Sequence, residues 1–424
     1  MGSRPFANIL RRFSSATSPN NDISFGFSGA GFLGCYHVGV AACLHRQGIL
    51  PNPNDSSNGT SPPLVTGVSA GSMIAAAVLA GVQPDPDGME VVLEAARKTR
   101  ALAKSNDFNV SLDVLTPGFS LIDQVEEPFQ VSLVKALGGR IPEKISDQID
   151  DSNVYDIDPN LFQRRFPDGS LRLGLTDRRV FGPRSILESY RYVDSFRNVD
   201  DIIATCMLSS YIPGGTGPLH LHDKMPEFLI GLFGSNNNSG STARSVKDNT
   251  INDTVHRAGT RLREIEAAGL VKHGRTGLPV LPQKPNQETE LDQKPIVLNS
   301  TDFWDGGIAD VFPTFDDRTI IIAPVNGFFS NPAICPMHSA DEVVEEVTSQ
   351  DSDGKTSSAT TAKKPIQLQL QTLIRTYIPK TFRHCNKAEL GLNNRNAKAV
   401  LKMAFSSEDE ELYQIFRDGY DDAR

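Results

Sequence analysis

The sequence lacks a long apolar run, since no stretch approaches the roughly 20 consecutive apolar residues that a membrane-spanning helix needs. Any contact with a membrane is therefore expected to be peripheral. Cysteine is also scarce, with five among 424 residues and neither C-x-x-C spacing nor the density of a disulfide scaffold. This usage predicts a reducing compartment. The five are Cys35, Cys43, Cys206, Cys335 and Cys385.

An excess of positive charge is missing as well. The chain has 42 Lys and Arg against 51 Asp and Glu, which gives a net charge of -9. No basic stripe offsets this balance, so the composition argues against a nucleic-acid-binding protein. The hydrophobic content of 39% and the charged content of 22% are typical of a globular protein, and the length allows one large decorated domain or two domains.

Acidic residues are absent from the first 20 positions, which instead contain Arg4, Arg11, Arg12 and several serines. This composition is typical of a mitochondrial or plastid transit peptide, and it lacks the long apolar centre of a secretory signal. The alternative is a basic arm that is disordered or rests on an anionic lipid surface. We therefore predict that residues 1–21 form an arm or a transit peptide.

Three other stretches differ in composition from the main domain, which we predict to span residues 22–325. Residues 234–294 open with Gly, Asn and Ser and end among prolines, which predicts a disordered or loosely helical insertion. Residues 340–365 are acidic and then rich in Ser and Thr, which predicts a linker. Residues 366–424 carry apolar positions at helical spacing and predict a helical C-terminal extension.

Two strand-helix units follow one another near the start of the main domain. Residues 23–27 alternate like a strand and lead through a glycine-rich loop into a helical run. The apolar residues 64–66 then lead through a second tight turn into another helical run, residues 72–80. Two such units in succession predict an α/β fold with a mainly parallel sheet.

The second turn reads Gly67-Val68-Ser69-Ala70-Gly71, a Gly-x-Ser-x-Gly motif between the strand and the helix. The motif alone is weak, but a serine at such a turn sits on strained backbone with its hydroxyl exposed. The glycines allow strand and helix to approach closely, and the helix N-terminus favours the negative charge of acyl transfer. We predict Ser69 as a catalytic nucleophile, with Gly67 and Gly71 as motif glycines.

The first loop reads Gly29-Ala30-Gly31-Phe32-Leu33-Gly34. Backbone amides of a glycine loop at a helix start can point at one anion, here the oxyanion of an ester attacked by Ser69. The rival interpretation is a dinucleotide site, which requires an acidic residue about 20 positions later at the end of the next strand. Asp55 is near that distance but lies in a polar loop, so the oxyanion interpretation is favoured. Its candidate residues are Gly29, Ala30, Gly31 and Gly34.

Asp305 is the candidate base that would activate the serine, within Phe303-Trp304-Asp305-Gly306-Gly307. A Ser-His-acid triad would need a histidine after the acid, and His338 and His384 have no supporting motif. In isolation, Asp305 and Gly306 would be an ordinary turn. The other histidines are expected to be helix or loop residues without metal partners, and the sequence predicts no metal and no cofactor. They include His37, His45, His220 and His222.

The order of these three motifs resembles the patatin-like phospholipase family, and residues 23–41 are similar to its adipose triglyceride lipase and adiponutrin branch. The resemblance implies a three-layer α/β/α sandwich over residues 22–325. It also implies that Ser69 is the nucleophile and Asp305 its proton acceptor. The glycine-loop amides would form the oxyanion hole, and Gly306 and Gly307 would be the motif glycines beside the base.

The resemblance further implies a lipid acyl-ester hydrolase. Plant patatins usually carry a basic residue where this chain has Phe32 and Leu33, which favours neutral triacylglycerol as the substrate. The open alternatives are a phospholipase A or lysophospholipase, an acylglycerol transacylase, and a non-catalytic lipid-droplet adaptor. The expected place is the cytoplasm, peripheral on lipid droplets or membranes, or else a mitochondrion or plastid. A protein co-activator is left open.

Overall fold

The computed structural model describes most of the chain in eleven segments. They are residues 23–50, 62–105, 120–141, 155–180, 188–212, 216–217, 254–280, 302–336, 388–390, 394–404 and 406–424. Several expectations therefore lie outside the described residues. They are the arm at 1–21, the linker at 340–365, the first part of the helical extension predicted at 366–424, and the surroundings of His220, His222, His338 and His384.

Two strand-helix units open the described part of the chain, as the sequence predicts, and further helices follow before the third strand. The strands are β1 (Ser24–Phe27), β2 (Leu64–Gly67), β3 (Leu171–Asp177), β4 (Tyr190–Val193), β5 (Val271–His273), β6 (Phe303–Asp305), β7 (Ile320–Ile322), β8 (Gly327–Phe329), β9 (Ala333–Ile334) and β10 (Ala388–Leu390). The helices are α1 (Gly34–Arg46), α2 (Ala70–Ala80), α3 (Met89–Ser105), α4 (Leu121–Ala136), α5 (Pro159–Arg165), α6 (Val199–Ser209), α7 (Thr254–Ala267), α8 (Gly306–Ala309), α9 (Asn394–Ala404) and α10 (Asp409–Asp422).

One mixed sheet forms the centre of the fold. Its order in the described residues is β5-β4-β3-β2-β1-β7-β9, and β3, β2, β1, β7 and β9 run parallel to one another. β4 and β5 extend one edge in antiparallel pairing. Helices flank this sheet and share one large apolar core with it. The predicted α/β class with a mainly parallel central sheet is confirmed.

Strand β6 has the placement that matters most for the site. It pairs antiparallel with β3 opposite Leu175–Asp177, beyond the point where β2 stops pairing with β3. Leu175 pairs with β4 on the other side of β3, so β2 and β6 lie end to end along the same side of β3. In this register Gly67 lies opposite Leu173 and Asp305 lies opposite Leu175. The end of β6 therefore meets the turn that follows β2.

Part of the insertion at 234–294, for which the sequence predicts a disordered or loosely helical segment, forms a packed helix and a strand. Within it, helix α7 packs against α6 through apolar residues at helical spacing, and β5 is the edge strand of the sheet. The packing residues are Val255, Ala258, Leu262 and Ile265. Arg261 also binds the buried carboxylate of Asp201 on α6, with 2.8 Å between Nε and Oδ1. The polar residues on either side of α7 dominate the composition of this stretch, so the composition does not indicate the amphipathic helix within it.

The fold also continues beyond residue 325, the predicted end of the main domain. Strand β9 pairs with β7 in the central sheet, so the sheet is completed only at Ile334. Helix α9 is fastened to the body by Asn396, whose side-chain amide exchanges hydrogen bonds of 3.0 and 2.8 Å with the Asn326 backbone. The helix predicted around 412–420 is confirmed as α10, but it packs on α1 and is therefore part of the domain.

The crossing of α1 and α10 is unusually close because a glycine on each helix meets the backbone of the other. A Cβ atom on Gly39 would lie 1.9 Å from the carbonyl oxygen of Phe416, and one on Gly419 would lie 2.2 Å from that of Tyr36. The Tyr36 hydroxyl adds a hydrogen bond of 2.9 Å to Asp422. These contacts fix the C-terminal helix to the first helix of the chain.

No helix in the described part of the chain combines the length and the apolarity required to cross a membrane.

We predict that Gly419→Ala destabilises the protein even though alanine has the higher helix propensity. The added methyl would overlap the Tyr36 carbonyl and force α10 away from α1, which should cost about 1–3 kcal/mol. Urea unfolding measures the loss, and Arg417→Ala on the exposed side of α10 is the control, expected within about 0.5 kcal/mol of wild type. A Gly419→Ala protein as stable as the control variant would contradict the close crossing.

Candidate active site

Ser69 occupies a sharp turn between β2 and α2. Its backbone has φ 54° and ψ -138°, which is a strained conformation for a residue with a side chain. The Ser69 amide donates a hydrogen bond of 3.0 Å to Ser209 Oγ, and that hydroxyl donates in turn to the Gly174 carbonyl at 2.7 Å. The Ser69 carbonyl accepts the Ser72 hydroxyl at 2.6 Å. Hydrogen bonds to both the amide and the carbonyl of Ser69 therefore hold the turn in place.

The two glycines of the motif are required by the close approach of the backbone segments around this turn. A Cβ atom on Gly67 would lie 2.3 Å from the Gly71 carbonyl oxygen, and one on Gly71 would lie 2.4 Å from the Phe27 carbonyl oxygen. No side chain fits at either place, because these separations are far inside van der Waals contact. The strand-turn-helix geometry that the motif predicts is present.

Asp305 lies at the end of β6 and is 3% exposed. Its carboxylate accepts a hydrogen bond from the Ser69 side chain and another from the Gly307 amide, at 2.7 Å to Oδ1. Its own amide donates to the Tyr211 carbonyl at 2.8 Å, and its carbonyl accepts the Thr176 hydroxyl at 2.6 Å. The structure thus brings together the two residues that are separated by more than half of the chain.

The electrostatics of Asp305 follow from its burial. Desolvation of the carboxylate raises its pKa from 3.8 to about 7, although the hydrogen bonds from Ser69 and from the Gly307 amide act in the opposite direction. A carboxyl group with a pKa near neutrality both accepts and returns a proton at physiological pH. The arrangement can therefore support general base chemistry on the Ser69 hydroxyl without a histidine.

The glycine loop lies beside Ser69, with the position of a Cβ atom on Gly29 3.5 Å from Ser69 Cβ. Two of its four predicted amides are occupied within the fold. The Gly29 amide donates to the Val311 carbonyl at 3.3 Å, and the Gly34 amide donates to the Gly31 carbonyl. Among the described residues, the amides of Ala30 and Gly31 have no hydrogen-bond acceptor. Of the four residues predicted for the oxyanion hole, Ala30 and Gly31 are therefore the two whose amides remain available to a ligand.

Gly31 has φ +52° and packs against the C-terminal part of the fold. A Cβ atom there would lie 2.1 Å from the carbonyl oxygen of Met403, at the end of α9. Gly306 is similarly close to a backbone, because its Cβ would lie 2.2 Å from the Gly174 carbonyl oxygen. The motif glycines Gly306 and Gly307 therefore serve the packing of β6 on β3 and the hydrogen bond to Asp305.

Ser69 opens into a cavity with about 900 Å³ of empty space, part of it open to solvent. Most of its wall is aliphatic and comes from α2, α3 and α4. None of the described residues that line it is charged. They include Phe32, Met73, Ile74, Ala77, Val82, Val91, Val92, Ala95, Leu121, Ile122, Val125, Phe129, Ser132, Met207, Ser210 and Thr216.

Sequence reasoning missed Ser209 and Thr176, which orient Ser69 and Asp305 without lying in any motif. Only the fold places their hydroxyls there, so no sequence signal identifies them. His37 was expected to be a packed or solvated residue of the first helix, and it is packed. Its ring meets Phe27 edge-on with centroids 5.6 Å apart, and burial lowers its pKa to about 3, so it is neutral at physiological pH.

Comparison with known proteins identifies a matching family and a distant relative. Residues 27–316 match a family model described as patatin-like phospholipase. The human (Homo sapiens) protein 1-acylglycerol-3-phosphate O-acyltransferase PNPLA3 is 24% identical over 196 residues, which are 46% of this chain and 30% of the human protein. The chain therefore matches less than a third of the length of that relative.

We predict that Asp305→Asn stabilises the protein at pH 8 and changes its stability little at pH 4. The pKa of Asp305 is raised to about 7 in the folded protein, so the wild type loses stability as the pH rises from about 4 to 7. Above pH 7 the folded wild type holds a buried negative charge on Asp305. Asparagine has the same shape without the charge, so the melting temperature at pH 8 should rise by a few degrees.

Asp316→Asn provides a control of opposite sign. Burial raises the pKa of Asp316, but the hydrogen bonds from Arg318 outweigh it and the pKa is lowered overall. This substitution should therefore lower the melting temperature at pH 8 and have less effect at low pH. Equal effects of Asp305→Asn at pH 4 and pH 8 would contradict the raised pKa of Asp305.

Proposed function

The chain belongs to the patatin-like phospholipase family, and from this premise we propose that it is a lipid acyl-ester hydrolase with Ser69 as nucleophile and Asp305 as proton acceptor. The observation that carries the proposal is the hydrogen bond from Ser69 to the buried Asp305 carboxylate at one end of an apolar cavity. A structural turn would need neither the buried carboxylate nor the cavity.

The proposed reaction has two acyl-transfer steps. Asp305 takes the proton of the Ser69 hydroxyl as Ser69 Oγ attacks the ester carbonyl, and the amides of Ala30 and Gly31 stabilise the oxyanion. The proton on Asp305 passes to the alkoxyl oxygen as the alcohol leaves and the acyl-enzyme forms. Water then attacks the acyl-enzyme, Asp305 accepts its proton, and the acid is released as Ser69 recovers its hydrogen.

We propose a neutral acylglycerol, most simply triacylglycerol, as the substrate. The support is the cavity wall, in which no described residue is charged and aliphatic side chains predominate. Phospholipase A or lysophospholipase activity is the alternative within the same chemistry. Either substrate places the protein at a lipid-droplet or membrane surface.

Acyl transfer is a second candidate. The human relative is named as a 1-acylglycerol-3-phosphate O-acyltransferase. The same two residues would serve this reaction if a second acylglycerol, rather than water, attacked the acyl-enzyme. Mass spectrometry of the products separates the two reactions, because transfer produces a more highly acylated glyceride and hydrolysis produces free fatty acid.

We predict that Ser69→Ala lowers release of oleic acid from emulsified triolein at least about 10³-fold, because the acyl-enzyme cannot form. A fluorophosphonate probe should label the wild type and leave the variant unlabelled. Parallel assays on phosphatidylcholine and lysophosphatidylcholine rank the substrates. Ser170→Ala is the control and should retain activity. Ser170 lies just before the first residue of β3, and its hydroxyl donates to the Pro167 carbonyl.

Full triolein hydrolysis by Ser69→Ala would rule out the proposed nucleophile. A folded wild-type protein that neither reacts with the probe nor releases acid from any of these lipids would favour the non-catalytic adaptor instead.

We predict that kcat/KM rises with pH and levels off above an apparent pKa of about 7. Asp305 accepts the proton of Ser69 only when it is ionised, and its pKa is raised to about 7 by burial. Initial rates on a soluble ester such as p-nitrophenyl butyrate between pH 5 and 9 measure the profile. A rate that falls as the pH rises through this range would contradict the role of Asp305 as base.

A further inference from the structure

Ser210 lies between the residues that hold the two halves of the proposed dyad. The preceding residue, Ser209, binds the Ser69 amide at 3.0 Å, and the following residue, Tyr211, accepts the Asp305 amide at 2.8 Å. Ser210 itself ends α6 and lines the cavity into which Ser69 opens. These neighbours place Ser210 in the part of the cavity next to Ser69 and Asp305.

The hydroxyl of Ser210 has no hydrogen-bond partner within the described part of the chain, although the residue is only 8% exposed and Oγ is buried. Other polar groups of the same residue are satisfied. Its amide donates to the Cys206 carbonyl at 3.1 Å, and its carbonyl accepts the Thr216 hydroxyl. A buried hydroxyl without a partner costs free energy, so such groups in native proteins call for an explanation.

We propose that Ser210 is a specificity-determining residue whose hydroxyl binds an oxygen atom of the glycerol part of the substrate, next to the ester under attack. This inference rests on the proposed function. The acyl chain of the substrate would displace water from an otherwise aliphatic wall, so the substrate itself must supply the partner of Ser210. The ester carbonyl is assigned to the amides of Ala30 and Gly31, which leaves the oxygens on the alcohol side.

The alternative source of such an oxygen is a hydroxylated acyl chain, and the position of Ser210 argues against it. Thr216 binds the Ser210 carbonyl and its own carbonyl accepts the amide of Ile122, so Ser210 lies near the start of α4. Ser132, the other cavity hydroxyl without a partner in the described residues, lies ten positions beyond Ile122, or about 15 Å along the axis of α4. A hydroxyl on an acyl chain that runs along α4 away from Ser210 would meet Ser132 instead.

The test compares three oleate-length esters. Monoolein carries free glycerol hydroxyls, ethyl oleate has the same acyl chain without them, and ethyl ricinoleate has a hydroxyl on the acyl chain only. For Ser210→Ala, kcat/KM on monoolein should fall about tenfold while that on ethyl oleate stays within about twofold of wild type. Ser210→Thr keeps the hydroxyl and should keep the wild-type ratio between the two esters.

Ser132→Ala is the matched control, since it removes the second unpartnered hydroxyl from the same cavity. It should leave the monoolein-to-ethyl oleate ratio at the wild-type value. Melting temperatures verify that each variant is folded.

Two outcomes overturn the assignment. Equal losses of kcat/KM on monoolein and ethyl oleate in Ser210→Ala would show that Ser210 only helps Ser209 and Tyr211 to position Ser69 and Asp305. A loss confined to ethyl ricinoleate would place the bound oxygen on the acyl chain. A wild type that hydrolyses none of the three esters would instead overturn the proposed function, so the two failures are distinguishable.

Discussion

The whole site depends on a carboxylate that is kept out of water. Asp305 is almost fully buried, and its burial is what raises its pKa towards neutrality. A solvated aspartate would remain ionised at pH 7 but would be too weak a base to activate a serine. The fold must therefore hold Asp305 in a dry place and still bring it within a hydrogen bond of Ser69.

The fold meets this requirement by the register of one short strand. β6 continues the line of β2 along β3, so the residue after the β2 turn and the last residue of β6 converge. Arg179 secures the other end of β6: its guanidinium binds Asp177 and Glu266 and lies 5.1 Å from the centre of the Phe303 ring. Because Glu266 belongs to α7, a helix within the predicted insertion supports the strand that carries Asp305, the proposed base.

The sequence permits the local parts of this site to be predicted, because the strand-turn-helix around Ser69 and the glycine loop are short and governed by local backbone geometry. The motif around Asp305 is also local, and in the fold Asp305 lies at the end of β6, near the turn that carries Ser69. The roles of Ser209 and Thr176 depend on which strands become neighbours, and nothing adjacent in the sequence encodes that. Similarly, α7 and α10 have clear amphipathic spacing, but their packing partners lie in α6 and α1, far away along the chain.

The contact between Gly31 and the Met403 carbonyl has a consequence for the order in which the protein is made. The glycine loop leaves the ribosome long before α9, which packs against it, because the two segments are far apart along the chain. A nascent chain therefore possesses Ser69 and its strained turn before the loop acquires α9 as a neighbour. The geometry that would stabilise an oxyanion is complete only once synthesis has passed α9, so a chain that stops before α9 has an incomplete site.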